Sequence, residues 1–182
     1  MIDKKNYCAS FDTNWNNQIN YYDDYIKIIK QNLPTLVVIE IATDYEDKYE
    51  CTDLTIKING GNIALRVREI KEGLRYDDVT IRSQSENKGK TEIHKLKEGY
   101  GDWYLYVWTL DNKIDSWVIY DLHKVRQFKI LEMNLTEKPN TDGKTKFKII
   151  PLAVLKYYNC IAATSQNRID HIIPNPIANE PL

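Results

Sequence analysis

The stretch from Cys51 to Arg68 limits what this chain can fold into more than any other. Two alternating runs flank Asn59-Gly60-Gly61, a strong short-range signal for a β-hairpin. With Gly60 and Gly61 at the tip, Leu54, Ile56 and Ile58 fall opposite Val67, Leu65 and Ile63. A slip of one residue would bury the charges in place of the apolar side chains. The other face then sets Asp53 across from Arg68, Thr55 across from Arg66 and Lys57 across from Ala64. Everything else turns on whether Asp53 and the two arginines form a wet sheet face or a working site.

Composition supplies the outer limits. A chain of 182 residues, 42% of them hydrophobic, can build one substantial core. The net charge of −1 favours neither nucleic acid nor its avoidance, so any basic surface must be local. Thirteen tyrosines and four tryptophans can stiffen a core or supply stacking and interface surface. Cys8, Cys51 and Cys160 are dispersed, without metal-ligand spacing, and read as reduced thiols of a cytosolic protein. No secretory signal is visible, and the apolar run Leu36–Ile39 is far too short for a bilayer. The expected location is the cytoplasm, with no membrane partner.

In chain order, the spacing predicts a helix over Tyr21–Leu33, with Tyr22, Ile26, Ile29 and Leu33 inward and Pro34 as its stop. Leu36–Ala42 is ambiguous between strand and buried helix. Beyond the hairpin, Val79–Ser83 alternates as a third strand. Thr91 caps a helix that ends at Gly99, with Ile93 and Leu96 inward. Trp103–Thr109 reads as a central strand buried on both faces. Asp111-Asn112-Lys113 turns into a strand over Ser116–Tyr120, and Asp121 caps a short helix reaching Phe128. Leu135–Gly143 reads as a loop. Lys144, Lys146 and Lys148 alternate along a strand, more as a solvated edge that discourages aggregation than as a nucleic-acid stripe. Pro151 suits the first turn of a last helix, to Asn159. Residues 1–164 thus form one α/β domain with a core over about 21–120, followed by a Pro-rich tail over 165–182. No internal repeat is visible.

The order helix, hairpin, third strand, helix, strand, or αβββαβ, resembles the PD-(D/E)XK nuclease superfamily over roughly Glu40–Tyr120. Thr52-Asp53-Leu54, Ile63–Arg68, Thr80–Ser83, Thr91-Glu92 and Gly99–Tyr104 also resemble uncharacterised phage and prophage proteins. The resemblance implies a mixed central sheet flanked by helices, a restriction-endonuclease-like core with C-terminal strand and helix additions. It also implies a nucleic-acid partner, DNA in preference to RNA. Members hold a divalent ion, commonly Mg2+, on Asp and Glu carboxylates, while a Lys orients the nucleophile or steadies developing charge.

Carried over by residue, Asp53 matches the metal-binding Asp, and Glu40 or Asp44 stands for the acidic residue of the first helix. Arg66 takes the Glu position and Arg68 the Lys position, so Asp53 and Arg68 would be the catalytic pair. Arg66 departs sharply, because a guanidinium cannot ligate Mg2+ and would repel it. Glu92 or Glu69 would have to move in as a replacement carboxylate. Arg66, Arg68 and Arg82 suit bidentate phosphate contact instead.

Plainer alternatives stand beside these readings. Asp53 with Arg68 alone would be an ordinary cross-strand ion pair. Trp103, Tyr104, Tyr106 and Trp108 read first as core. His94 and His123 show no partner at useful spacing. Two functions follow: a divergent Mg-dependent nuclease or its weakened, phosphate-binding derivative, and a phage-encoded inhibitor of a host defence protein acting through aromatic surface without catalysis.

Overall fold

The computed structural model describes residues 21–33, 39–41, 43, 45, 49, 54–56, 61–72, 76–86, 89–140 and 143–165; for 39–41 and 54–56 it describes the backbone. Helix α1 (Tyr22–Asn32) is followed by β1 (Ile39–Ile41), β2 (Leu54–Ile56), β3 (Gly61–Glu69) and β4 (Asp78–Ser85). Then come α2 (Glu92–Lys97), β5 (Trp103–Leu110), β6 (Lys113–Asp121), α3 (Leu122–Gln127) and a 3-10 turn, Ile130–Glu132. β7 (Glu137–Pro139), β8 (Thr145–Pro151), α4 (Leu152–Tyr157) and β9 (Ile161–Thr164) complete the order. The fold is α/β, with two sheets and flanking helices. A mixed sheet runs β1-β2-β3-β5-β6-β9, and a smaller antiparallel sheet runs β4-β8-β7. Among the described residues no helix is long and apolar enough to cross a membrane.

β3 and β5 are the parallel pair that fixes the mixed sheet, in register from Ile63 on Trp103 to Glu69 on Thr109. Parallel strands need a crossover, and residues 70–102 supply it, carrying β4 and α2 with them. One face of the sheet buries Ile63, Leu105, Val107 and Ile119 against Tyr25, Ile28 and Ile29 of α1. Each fully buried side chain of this kind contributes about 1.5–3 kcal/mol. The opposite face carries Ala64, Tyr104, Tyr106, Trp108, Val118 and Tyr120 into a second cluster with Val79, Ile81 and Ile150 of the smaller sheet. β5 is therefore buried on both faces, as its unbroken apolar run requires.

The hairpin forms in a different register from the one its alternation suggests. Leu54 pairs with Ile63, Thr55 with Asn62 and Ile56 with Gly61, so Leu54 meets Ile63 and not Val67. The displacement is even, which keeps every side chain on its own face, and a period-2 pattern is blind to it. β2 consequently ends before Arg66 and Arg68. The third strand also differs: Asp78–Ser85 is a strand but pairs with β8 in the other sheet, while β1 pairs with β2 and resolves the ambiguous segment as strand. The mixed sheet therefore draws a strand from β1, ahead of the hairpin, and not from the expected third strand, so its order α1-β1-β2-β3-α2-β5 uses a different set of strands from the expected one. In α1 the inward residues are Tyr25, Ile28 and Ile29, with Tyr22 and Leu33 at the rim. Lys148 is not on a strand edge. β8 is central, β7 is the edge within the expected loop, and the Lys148 ammonium turns to the carbonyls of Leu131 and Met133 at 3.3 Å.

A repeated unit is present that the residue pattern conceals. In β5-β6-α3, Trp103 pairs with Asp121 and the Leu122 N–H donates to the Asp102 carbonyl at 3.0 Å. In β4-β8-α4, Asp78 pairs with Pro151 and the Leu152 N–H donates to the Asp77 carbonyl at 2.9 Å. Pro151 thus closes β8 directly ahead of the helix. Both helices bury their first residue and their fourth, Leu122 with Val125 and Leu152 with Leu155. Both are followed by a left-handed residue, Lys129 at φ 51° and Asn159 at φ 53°. Only these buried positions and the turn geometry are shared, so the repeat is one of backbone and core.

Gly101 marks the junction of α2, β5 and α3. Its φ is +73°, and a Cβ there would lie 2.9 Å from Leu122 Cδ1. Gly101→Ala should lower stability by about 1–3 kcal/mol, from left-handed strain together with overpacking. Urea denaturation checks this against Gly143→Ala, where a Cβ meets nothing and backbone strain acts alone.

Candidate functional site

Arg66 and Arg68 lie on the same face of β3 as Ala64, in register with Tyr106 and Trp108 of β5. That face is covered by β4 and α2, so two guanidinium groups stand between elements that are largely apolar. Burial of a cation is tolerated only with a partner. Glu92, the first residue of α2, supplies one. Its Oε2 accepts from Arg66 Nη1 at 2.6 Å and from the Arg82 N–H at 2.9 Å, and its Oε1 accepts from the Tyr104 hydroxyl. The Arg66 and Glu92 side chains are 26% and 16% exposed. Arg68 Nη1 meets Asp78 Oδ1 at 2.9 Å, and its guanidinium carbon lies 3.6 Å from the Tyr76 ring centre, within cation–π range. Between these two pairs, the Thr80 and Tyr106 hydroxyls are 2.9 Å apart.

The three links run in order along β3–β5 and β4–α2, and they tie the mixed sheet to the start of the smaller one. Burial alone would lower the Arg66 pKa, but Glu92, with Tyr104 and Tyr106, outweighs it and raises the value. Burial, then Glu92 and Tyr120, hold the Tyr104 phenol well above its usual range despite Arg66. The cluster is therefore a permanent cation, its carboxylate and a neutral phenol that donates.

A second polar cluster sits at the ends of α2 and α3. Asp102 accepts the Asn62 N–H at 2.7 Å and faces His123 Nε2 at 2.7 Å. Arg126 reaches His123 Nδ1 at 3.3 Å and also binds the Leu96, Tyr100 and Gly101 carbonyls. Arginine only donates, so Nδ1 accepts and Nε2–H donates to Asp102. Both ring nitrogens are engaged, so the imidazole ties the start of α3 to the loop at Asp102. His123 thus has a partner that sequence spacing could not show. His94 does too, since its Nδ1 accepts the Thr91 N–H at 3.3 Å.

The expected site residues fare as follows. Asp53, Asp44 and the side chain of Glu40 lie outside the described residues. Arg68 is placed against Trp108 of β5 and paired with Asp78, not across β2. Arg82 stands on the smaller sheet with its side chain exposed, so Arg66, Arg68 and Arg82 do not share one sheet face. Of the two replacement carboxylates, Glu92 comes to Arg66, while Glu69 is exposed at the end of β3. Asp78, Tyr76 and Tyr104 were missed. Their roles depend on β4 crossing to the second sheet, which no local pattern reports.

Among the described residues no three His, Cys, Asp or Glu side chains converge to hold a metal ion. The β3 face does not fit Mg2+: the Glu92 oxygens are taken by a guanidinium, a phenol and an amide, and Asp78 faces Arg68. An adjacent guanidinium also opposes a dication. Compared with known families and with curated proteins, the chain matches no family profile and no curated protein.

Glu92→Ala leaves Arg66 half-buried without its carboxylate. It should cost about 2–3 kcal/mol in urea denaturation, after discounting for partial exposure, against about 1 kcal/mol for Arg68→Ala. Alkaline pH tests the neutral groups. Burial, then Asp121, raise the Cys160 thiol from 9.0 to about 11 against Lys124, and burial raises the Tyr25 and Tyr104 phenols. Raised folded-state values mean that the unfolded chain releases these protons first. Stability should be flat up to about pH 9, then fall by up to about 1.4 kcal/mol per pH unit for each such group. Denaturation midpoints from pH 7 to 11 read this directly.

Proposed function

We propose that this chain is a nucleic-acid-binding protein on a nuclease-like α/β scaffold, with metal-dependent cleavage weakened or lost. The α-β-β-β-α-β order of the mixed sheet supports the scaffold, together with Arg66-x-Arg68 on β3 where the nuclease resemblance expects Glu-x-Lys. One observation supports the loss of catalysis: Arg66, on the position that the resemblance gives to the Glu ligand, is paired with Glu92, one of the two carboxylates that could have replaced it. Such a pair holds protein together and leaves no anionic cradle for Mg2+ among the described residues of the β3 face. The same pairing withdraws Arg66 and Arg68 from phosphate, which leaves Arg82 as the exposed member of the expected trio. DNA in preference to RNA, a phage origin and action in the host cytoplasm belong to this reading through the resemblance.

Neutralisation of both arginines favours one second reading, a protein-binding role without catalysis, such as inhibition of a host defence complex. Salt separates the two. Labelled DNA should bind without Mg2+, lose affinity steeply between ~50 and ~200 mM salt, and stay uncut when Mg2+ is added. Cleavage that requires Mg2+ and disappears in Asp53→Ala would overturn the weakened-site reading. Absence of binding to DNA and RNA at low salt, with a host protein retained after nuclease treatment, would establish the second.

A further inference from the structure

With Arg66 and Arg68 committed to carboxylates, Arg82 is the arginine left to meet nucleic acid, and the smaller sheet gives it neighbours. Across β4, β8 and β7, Arg82 pairs with Phe147 and Phe147 pairs with Lys138. Directly opposed residues share a face, so the three side chains form one row, an aromatic ring between two cations. Thr80 and Ile149 form the next row of that face. Val79, Ile81 and Ile150 lie on the opposite face, and all three are fully buried in the core. The row is open where the rest of its face is closed. Asp78 and Thr80, nearer the start of β4, are turned to Arg68 and to the Tyr106 hydroxyl. Arg82 and Lys138 are exposed, while Phe147 and Ile149 are half-buried and belong to neither core cluster.

The charge on this row is of one sign. Among the described residues neither the Arg82 guanidinium nor the Lys138 ammonium has a carboxylate partner. Glu92 approaches Arg82 only at its backbone N–H, and the same oxygen is held by Arg66 at 2.6 Å. Glu137 precedes Lys138 but pairs in register with Lys148 on the opposite face, where it accepts from Gln84 at 3.2 Å. Asp78, on the face of the row, is taken by Arg68. Glu86 stands beyond the end of β4.

We propose that Arg82, Phe147 and Lys138 form a contact row for single-stranded nucleic acid, with phosphates on the two cations and a base on the ring between them. The inference rests on the nucleic-acid reading above and deepens it, moving the contact surface from the β3 arginines to the outer face of the smaller sheet and naming the form of the partner. Unpaired cations of one sign select an anionic strand. Cations alone would serve a duplex equally well, but a ring set between them takes an unpaired base, which a duplex offers only at its ends. Ile149, in the next row, extends the apolar surface beside the ring.

Fluorescence anisotropy with a labelled oligodeoxythymidylate and a duplex of equal length tests the row in the full chain at ~50 mM salt. The single strand should bind more tightly than the duplex. Arg82→Ala and Lys138→Ala should each weaken single-strand binding and flatten its log-log salt slope by about 0.7. Phe147→Leu, which keeps apolar bulk without the ring, should weaken it by about 5- to 100-fold, and Phe147→Trp should leave it intact. Lys146→Ala, on the opposite face, should change nothing. Urea midpoints equal to that of the wild type establish that the variants fold. If the wild type binds single strands and Arg82→Ala, Lys138→Ala and Phe147→Leu all stay within about two-fold of it, the row is not the site and the broader reading stands. Preference for the duplex, or an equal loss in Lys146→Ala, overturns the row alone. No binding of any nucleic acid overturns both, and capture of poly-L-glutamate in its place would assign the face to an acidic protein partner.

Discussion

Two guanidinium groups on one strand face, covered by a second layer, can persist only if that layer brings carboxylates to them. Arg66 and Arg68 impose this condition, and Glu92 and Asp78 meet it from α2 and β4. The rest of the architecture follows from where those carboxylates must stand. β4 has to run across the β3–β5 face and not beside β3, which forces it to find hydrogen-bond partners in a separate sheet. α2 has to begin where its first residue reaches the middle of β3. The Thr80–Tyr106 hydroxyl pair then falls between the two ion pairs and closes the seam.

A carboxylate pair can serve as a metal site only while nothing else neutralises it. An arginine placed between the strands exchanges a weakly held dication for a cation that is covalently part of the chain and always charged. The exchange gives a permanent join between layers at the cost of Lewis-acid chemistry on that face. On the described β3 face the two carboxylates are accordingly part of the join between layers.

Much of this was legible in the residues. β5 announced itself by an apolar run without polar alternation, α2 by Thr91 and Gly99, α3 by Asp121, and the buried face of β3 by Ile63, Leu65 and Val67. The failures share one physical cause. Hairpin register, the sheet to which β4 belongs, and the partners of Arg66, Arg68 and His123 are all decided by contacts distant in sequence. A two-residue period survives any even slip, so alternation could not place Arg68 beside Trp108. An Asp at position 78 looks like loop chemistry until β4 is known to start there. The repeated unit escaped because its copies share buried positions and a left-handed turn but few residue identities.

The pairing of β4 with β8 carries a kinetic consequence. Val79 meets Ile150 only after the chain has been made through β8, whereas the β5–β6 hairpin closes through a local turn at Asp111 and Asn112, both in left-handed conformation. Sheets joined by such distant partners fold late, because the connecting loop must be closed before any pairing stabilises it. During synthesis β4 would emerge with both edges open, a state prone to wrong pairing. The grip of Arg68 on Asp78 and of Glu92 on Arg66 needs only segments made by then, so it can hold β4 over the mixed sheet until β8 arrives.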